Sequence, residues 1–274
     1  MKRIALGAWI LTGLAACDDP TRPAEPSLTP PAAAAVDQQF TVQSLGTLGG
    51  TFSEGNGINE QGEVAGWSYL PSGEERAFLW RDGQGMQSLG TLGGSESRAR
   101  GINDATQVVG FSQIADGSFH AFLWTATGGI EDLGTLGGPS SEAFGISQTG
   151  EVVGTSETAE GNQEAFLWTR EGGMRSLGTL RGEQSSFAQD INTHRMVVGH
   201  HAEFRLPFLW TPGRGMRQLP TLGGDQGLPN SLNEFGQIAG TSMTAQGDFR
   251  AALWTPAGGP LVVASEAAAR SGER

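Results

Sequence analysis

Short apolar runs, separated by glycine and polar residues, fill residues 40–264. No segment keeps its apolar residues at helical spacing, whereas runs such as VVG and AFLW have the length and composition of β-strands. In the AFLW run, alternation places Ala77 and Leu79 on one face and Phe78 and Trp80 on the other. Because both faces are apolar, both should be covered by protein. The pattern therefore predicts an all-β fold of stacked sheets.

The apolar runs belong to a repeat with three landmarks in fixed order. The first is LGTLGG at 45–50, which returns at 89–94, 133–138, 177–182 and 219–224 with changes in the last two copies. The second is a GIN-type segment followed by a VVG-type run, and the third is the FLW-type strand. The tryptophans of the third landmark are spaced 44, 44, 42 and 44 residues apart: Trp80, Trp124, Trp168, Trp210 and Trp254. Five units follow, and we expect these tryptophans to fill the structural core between them.

Each unit has room for four short strands joined by loops of about five residues. We predict one strand in each of the leucine-rich run, the GIN segment, the VVG run and the AFLW run. Identical four-stranded units that are covered on both faces predict a five-bladed β-propeller over 39–264, with an open β-solenoid as the alternative. The leucine-rich run occurs six times, from 40–45 to 260–264. One terminal copy is therefore left over, and we expect Leu261-Val262-Val263 to complete a blade.

The turn between the GIN and VVG strands has its own pattern. Gly62, Gly150 and Gly236 occupy the place where a positive φ favours glycine. Thr106 and Arg195 stand there in two other units, so we expect those two hairpins to be strained or differently shaped.

The N-terminus has the features of an export signal. Residues 1–16 carry Lys2 and Arg3 and then a charge-free run that is too short to span a bilayer. Leu14-Ala15-Ala16-Cys17 resembles the bacterial lipobox, which implies a diacylglyceryl group on Cys17; a plain secretory signal is the alternative. Cys17 is the only cysteine of 274 residues, so it has no disulfide partner. Residues 17–38 then predict a Pro/Ala-rich tether and residues 265–274 a disordered tail.

The charge of the chain limits its partners. The formal net charge is −12, and loss of the two basic residues of the signal would make the mature chain more acidic. Such a surface repels phosphate backbones and anionic headgroups, so we expect no nucleic-acid partner. Contact with the membrane should come from the lipid on Cys17. We expect a monomer in the bacterial cell envelope, facing the periplasm or the cell surface.

Chemistry-bearing residues form no convincing reaction centre. There is no GxSxG segment, and the repeats contain no thiol. The four histidines are not clustered with other ligands at metal spacing, and we expect them to be solvated surface residues: His120, His194, His200 and His201. The sequence predicts no metal and no cofactor, and it favours a protein that is not an enzyme. Paired carboxylates in a central channel remain the enzymatic alternative.

The segments after the VVG strands differ most between units. In a propeller, equivalent loops gather on one face, and variable loops on a repeated scaffold commonly carry recognition. Trp67, Tyr69 and Phe111 lie in or beside these segments. Aromatic side chains suit sugars and protein hot spots, so these three are candidate ligand contacts, with covering of their own blades as the alternative.

The complete set of landmarks resembles the bacterial HAF-repeat family, which is described as an extracellular repeat. The match covers about 45–256 and is fullest from Gly101 to Trp124, where His120-Ala121-Phe122 supplies the naming triplet. The resemblance implies an exported repeat protein and supplies no activity or ligand. With the lipobox, it leads us to expect a lipid-anchored protein or glycan interaction module. The alternatives are an envelope glycan hydrolase or lyase and a purely structural surface protein.

Overall fold

A computed structural model describes residues 40–180, 183–201 and 205–258. The predictions for the signal, Cys17, the tether, Leu261-Val262-Val263 and the C-terminal tail lie outside these residues. The described part of the chain contains no helix long and apolar enough to cross a membrane. Its regular elements are all β-strands, which confirms the all-β prediction.

The strands form five antiparallel sheets, which we call blades 1 to 5. Blade 1 contains β1 (Ser53–Ile58), β2 (Val64–Tyr69), β3 (Glu75–Arg81) and β4 (Gly85–Gly90). Blade 2 contains β5 (Gly93–Ile102), β6 (Val108–Ile114), β7 (Phe119–Thr125) and β8 (Gly129–Asp132). Blade 3 contains β9 (Gly137–Ile146), β10 (Val152–Thr158), β11 (Gln163–Thr169) and β12 (Gly173–Gly178). Blade 4 contains β13 (Phe187–Ile191), β14 (Val197–His200), β15 (Pro207–Thr211) and β16 (Gly215–Gln218). Blade 5 contains β17 (Gly223–Leu232), β18 (Ile238–Thr244) and β19 (Phe249–Trp254).

Blades 1 to 4 are meanders that begin with the GIN strand and end with the leucine-rich run of the following unit. The blades are thus offset by one strand from the units read in the sequence, and LGTLGG carries the chain from one blade to the next. In the second copy, Gly90 and Gly93 have positive φ values of 83° and 110°, which allow this sharp crossing. The first leucine-rich run, 40–45, forms no strand and is the terminal copy left over. Blade 5 has three strands within the described residues.

Apolar side chains from facing blades pack between them. Ala121 and Leu123 of β7 are buried against blade 3, whereas Phe122 and Trp124 are buried against blade 1. The predicted covering of both faces of this strand is therefore confirmed. A small residue is required where the second strand pairs with the first, because a Cβ on Gly110 would lie 2.0 Å from the Arg98 carbonyl oxygen. This is a use of glycine that the turn pattern did not indicate.

The repeated tryptophans differ in their surroundings. Trp124 and Trp168 are buried in junction cores, and Trp210 and Trp254 pack against the two later ones while partly exposed. Trp80 is half-buried and belongs to no junction core formed by the described residues. The reason is its position, because no other blade of the described residues packs on that face of blade 1.

Serine hydroxyls fasten successive blades to each other. Ser97 Oγ of blade 2 accepts a hydrogen bond from the Ala77 N–H of blade 1 at 3.0 Å and donates to the Gly90 carbonyl at 2.7 Å. Ser141 and Ser186 make the same bridge at the next two junctions, those of blades 2 and 3 and of blades 3 and 4. At the junction of blades 4 and 5 the positions are occupied by Pro207, which has no N–H, and Gly227, which has no hydroxyl. The donor and the acceptor are thus lost together.

Thr106 and Arg195 keep the hairpin geometry of the glycines that they replace, with φ values of 57° and 58°. These hairpins are therefore strained and not differently shaped. Each side chain also reaches the preceding blade, where Thr106 Oγ1 donates to Glu63 at 2.6 Å and Arg195 forms an ion pair with Glu151. These contacts between blades offset the backbone strain.

Candidate functional site

The candidate site lies at the end of the blades where the second strand turns into the third. Blades 1, 2, 3 and 5 turn there through tight hairpins, closed for example by Gly73 N–H bonding to the Leu70 carbonyl at 3.0 Å and Gly117 N–H to Ile114 at 3.1 Å. These hairpins contain the segments that vary most between units. We call this end of the molecule the loop face.

Three aromatic rings meet at the loop face of blade 1. Trp67 lies 5.2 Å from Phe52 and 5.4 Å from Tyr69, measured between ring centroids, and the second pair is edge-to-face. The Trp67 side of this group is buried, with 7% of the residue exposed, whereas Phe52 is 46% exposed. Phe52 therefore provides the solvent-exposed surface of the group, and the buried Trp67 ring packs against it.

An arginine of the next blade covers the same tryptophan. The Arg98 guanidinium lies 4.5 Å from the centre of the Trp67 ring and forms a two-pronged ion pair with Glu75. This hydrogen-bonded partner raises the pKa of Arg98, so the group stays charged. Arg98 is thereby held in place, and a fixed cation over an aromatic face is a favourable arrangement.

The pattern continues on blade 2. Phe111 and Phe119 meet edge-to-face at 5.7 Å, and the Arg100 guanidinium lies 5.4 Å from the Phe111 ring. Arg100 Nε is buried and has no hydrogen-bond partner within the described residues. Burial raises the pKa of the neighbouring Glu142 carboxyl, although the charges of Arg100 and Arg98 oppose this shift.

We call this group the aromatic–arginine cluster: Phe52, Trp67, Tyr69, Phe111 and Phe119 with Arg98 and Arg100. The structure places Trp67 and Tyr69 together on blade 1 and Phe111 beside Phe119 on the neighbouring blade 2, with Trp67 buried and the other two half-buried. Sequence reasoning missed Phe52, Phe119 and both arginines. A signal was present, since two arginines alternate with small residues along β5, a strand that is otherwise poor in bulky side chains.

The histidines do not share one environment, and the expectation of a solvated surface is wrong for His201. That residue is fully buried, and its Nδ1 lies 2.7 Å from the Ser185 carbonyl oxygen. His200 stacks on Phe187 at 5.4 Å, and burial lowers the pKa of both imidazoles. His120, the first residue of the HAF triplet, lies 2.8 Å from an Asp132 carboxylate oxygen. The described residues contain no group of three potential ligands placed to hold a metal ion.

A cavity of about 720 Å³ lies between blades 4 and 5, beside Leu209, Ile238 and Trp254. In three other blades, the residue six positions after the tryptophan, Ile130, Met174 or Met216, packs on a junction core. The corresponding residue after Trp254 is Pro260, which lies outside the described residues. The cavity thus adjoins the point where the described chain stops, and we assign it no ligand.

Neither a protein-family model nor a curated protein sequence matches this chain. Solved structures do match. A TolB from Acinetobacter baumannii matches with a TM-score of 0.50 and 15% identity, over 70% of this chain and 49% of TolB, so the chain spans about half the length of that protein. A TolB-type protein from Agrobacterium tumefaciens matches with a TM-score of 0.51 and 15% identity, over 72% of this chain and 80% of the other. At these identities the likeness shows the fold, which is a β-propeller.

Proposed function

We propose that this chain is an exported, lipid-anchored bacterial repeat protein of the HAF-repeat type, which acts as a non-enzymatic interaction module for a protein or a glycan. The lipobox-like segment ending at Cys17 supports export and anchoring. The propeller fold supports an interaction role in general terms, because a repeated scaffold holds variable loops on one face.

The single observation that carries the proposal is the aromatic–arginine cluster at the loop face. Aromatic rings supply large apolar contact area at a low loss of side-chain entropy, and arginine supplies directional donors beside them. Sugars and peptide segments both offer apolar surfaces edged by hydrogen-bond acceptors, and the cluster is complementary to either. The exposed ring of Phe52 and the half-buried ring of Phe119 are the accessible parts.

The charged groups of the cluster favour binding over catalysis. A retaining or inverting glycosidase needs two carboxyl groups about 5–10 Å apart, one of which protonates the leaving group. In the cluster, Glu75 is paired with Arg98, and Glu142 lies near Arg98 and Arg100. The ion pair makes Glu75 a structural charge, so the cluster lacks a pair of free carboxyl groups among its described residues. A hydrolase or lyase and a purely structural protein are the outcomes that the following experiment separates from a binding module.

The experiment is a binding screen with the full chain in detergent, against an array of envelope glycans and peptides. Phe52→Ala and Phe119→Ala remove accessible rings of the cluster, and Phe235→Ala is the matched control because Phe235 is 48% exposed in a turn between the first and second strands, away from the loop face. We expect saturable binding that each cluster variant weakens about tenfold, or about 1.4 kcal/mol, and that the control keeps. Absence of binding by the wild type, or equal loss in the control, would contradict the proposal, and breakdown of an arrayed glycan would indicate an enzyme.

Anchoring is tested separately. We expect cells fed a radioactive fatty acid to label the wild-type chain and not Cys17→Ser, and the variant to leave the membrane fraction. Labelling of the variant would show that Cys17 is not the anchor.

A further inference from the structure

Blades 1 and 5 each have one face on which, within residues 40–180, 183–201 and 205–258, no other blade packs, and each of these end faces carries an exposed apolar residue. Ile58 on the first face is 70% exposed, and Leu253 on the last face is 66% exposed. The equivalents of Leu253 in the first three blades, such as Leu79 and Leu123, are buried in junction cores. The described residues form four junction cores, each joining two successive blades, and none of these cores contains Ile58 or Leu253. Exposed apolar surface of this kind marks an interaction site.

The junction between blades 1 and 2 shows how such a face is covered. Besides its apolar core, blade 1 gives five hydrogen-bond donors to blade 2. The Glu60 N–H bonds to Asp104 Oδ1 at 2.9 Å, and the other four donors form the set that matters here. Three go to backbone carbonyls and one to a serine hydroxyl: Asn56 to Ala99 at 2.9 Å, Asn59 to Asn103 at 3.2 Å, Arg76 to Ser95 at 3.2 Å, and the Ala77 N–H to Ser97 Oγ at 3.0 Å.

Blade 5 carries the same four donors at the equivalent positions: Asn230, Asn233, Arg250 and Ala251. Blades 2, 3 and 4 each differ from blade 1 at two or more of these positions. Within the described residues, the Asn233 amide bonds to Gln237 of its own turn, and Arg250 turns back to Asp248. The last face therefore has the donor set of a junction without the blade that accepts it.

Blade 1 has the matching acceptor side. Ser53 occupies the position of the bridging serine, and its Oγ already donates to the Gly46 carbonyl at 2.7 Å, as Ser97 does to Gly90. Ser53 Oγ accepts no hydrogen bond within the described residues, whereas Ser97 Oγ accepts the Ala77 N–H. The junction of blades 4 and 5 lacks both members of this pair, since Pro207 and Gly227 stand there. Retention of Ser53 and of the Ala251 N–H is thus a specific match between the two ends.

We infer that the last face of one copy binds the first face of a second copy and forms a fifth junction of the kind that joins blades 1 and 2. A second copy is the occupant that these matched groups fit, because the described residues of one chain form four packed junctions and leave Ile58 and Leu253 exposed on faces that do not meet each other. Docking of another copy would disturb none of the four junctions. The contact is heterologous, so each copy keeps one free face and can add further copies. This proposal replaces the monomer expected from the sequence, and it does not depend on the loop-face ligand.

Sedimentation of the full chain in a density-matched detergent tests the proposal. We expect the wild type to form species of two and more chains as its concentration rises. Ile58→Arg removes the first face and Leu253→Arg the last, and since both residues are exposed, neither change should unfold the blades. Leu222→Arg is the matched control, because Leu222 is 51% exposed outside the two end faces.

Each single variant should sediment as one chain, and an equal mixture of Ile58→Arg with Leu253→Arg should form a complex of two chains, because each brings the face that the other lacks. The Leu222→Arg control should associate like the wild type. A wild type that stays a single chain at every concentration would overturn the proposal. So would a disulfide within one chain of the Ser53→Cys/Ala251→Cys double variant in dilute solution, since that would show the two faces closing on each other.

Discussion

Exchanging the residues at the junction of blades 4 and 5 tests how the blades are fastened. Three junctions use a serine hydroxyl that accepts a buried N–H from an alanine, and the fourth has Pro207 opposite Gly227. The surrounding bonds are the same in kind, since the Gly227 N–H bonds to the Arg205 carbonyl at 2.9 Å as the Ser186 N–H does to Gln163. The double variant Pro207→Ala/Gly227→Ser should therefore install the bridge that is missing.

Each single change should destabilise the protein. A Cβ at Gly227 would meet Pro207 Cγ at 2.9 Å, so Gly227→Ser alone overpacks the junction by about 1–3 kcal/mol. Pro207→Ala alone creates a buried N–H without an acceptor, which costs about 1–3 kcal/mol. In the double variant the smaller Ala relieves the clash and the hydroxyl accepts the N–H. We expect an interaction energy between the two changes of at least about 2 kcal/mol, in the favourable direction.

Urea unfolding followed by tryptophan fluorescence measures this energy in wild type, both single variants and the double variant. Ser141→Ala is the reference for the native bridge, and we expect it to lower the free energy of unfolding by about 1–3 kcal/mol because the Ala121 N–H loses its acceptor. If the effects of the two single changes add within about 0.5 kcal/mol, the serine bridge is not what fastens the blades.

Three further predictions concern the cores and the buried titratable groups. Gly154→Ala should destabilise by about 1–3 kcal/mol or more in urea unfolding, because a Cβ there would lie 1.9 Å from the Glu142 carbonyl oxygen. A loss no larger than that of Gly258→Ala, at an exposed glycine with open space around it and no positive φ, would contradict the close approach. Trp168→Ala should cost about 3–5 kcal/mol and Trp80→Ala less than half of that, because only Trp168 lies in a junction core; equal losses would contradict the difference. Burial lowers the pKa of His200 and His201, so the unfolded chain binds more protons than the folded one, and the contribution of these groups to stability should be full above about pH 6.5 and fall below it. A His201→Asn variant should show a smaller fall, and a melting temperature independent of pH in this range would refute the assignment.

The repeat made the architecture predictable. Fixed spacing of five tryptophans gave the number of blades, and alternation in AFLW gave two covered faces, as Phe122 and Leu123 show. The boundary of a blade was harder to place, because a periodic sequence can be divided at any strand. The structure pairs each leucine-rich run from β4 to β16 with the AFLW-type strand before it, whereas the run at 40–45 forms no strand.

The candidate site was predictable only in part, because exposure depends on neighbours from another unit. Tryptophan is a residue type that suits an exposed ligand contact, but the Arg98 guanidinium of the next blade covers the Trp67 ring. His201 follows a strand and has a polar side chain, yet the Ser185 carbonyl and the surrounding packing enclose it. These two contacts arise from residues that break the repeat, so the repeat carries no information about them.

The most direct test of the loop face as the recognition surface is site-specific photo-cross-linking in living cells. A photoreactive phenylalanine analogue replaces Phe119 in the full chain, and the same analogue replaces Phe235 in the control. Phe119 lies on an internal blade, so its adducts are not explained by association through the end faces. We predict a discrete protein or glycan adduct from position 119 and none of that mass from position 235. The same adducts from both positions, or none from position 119, would contradict the account.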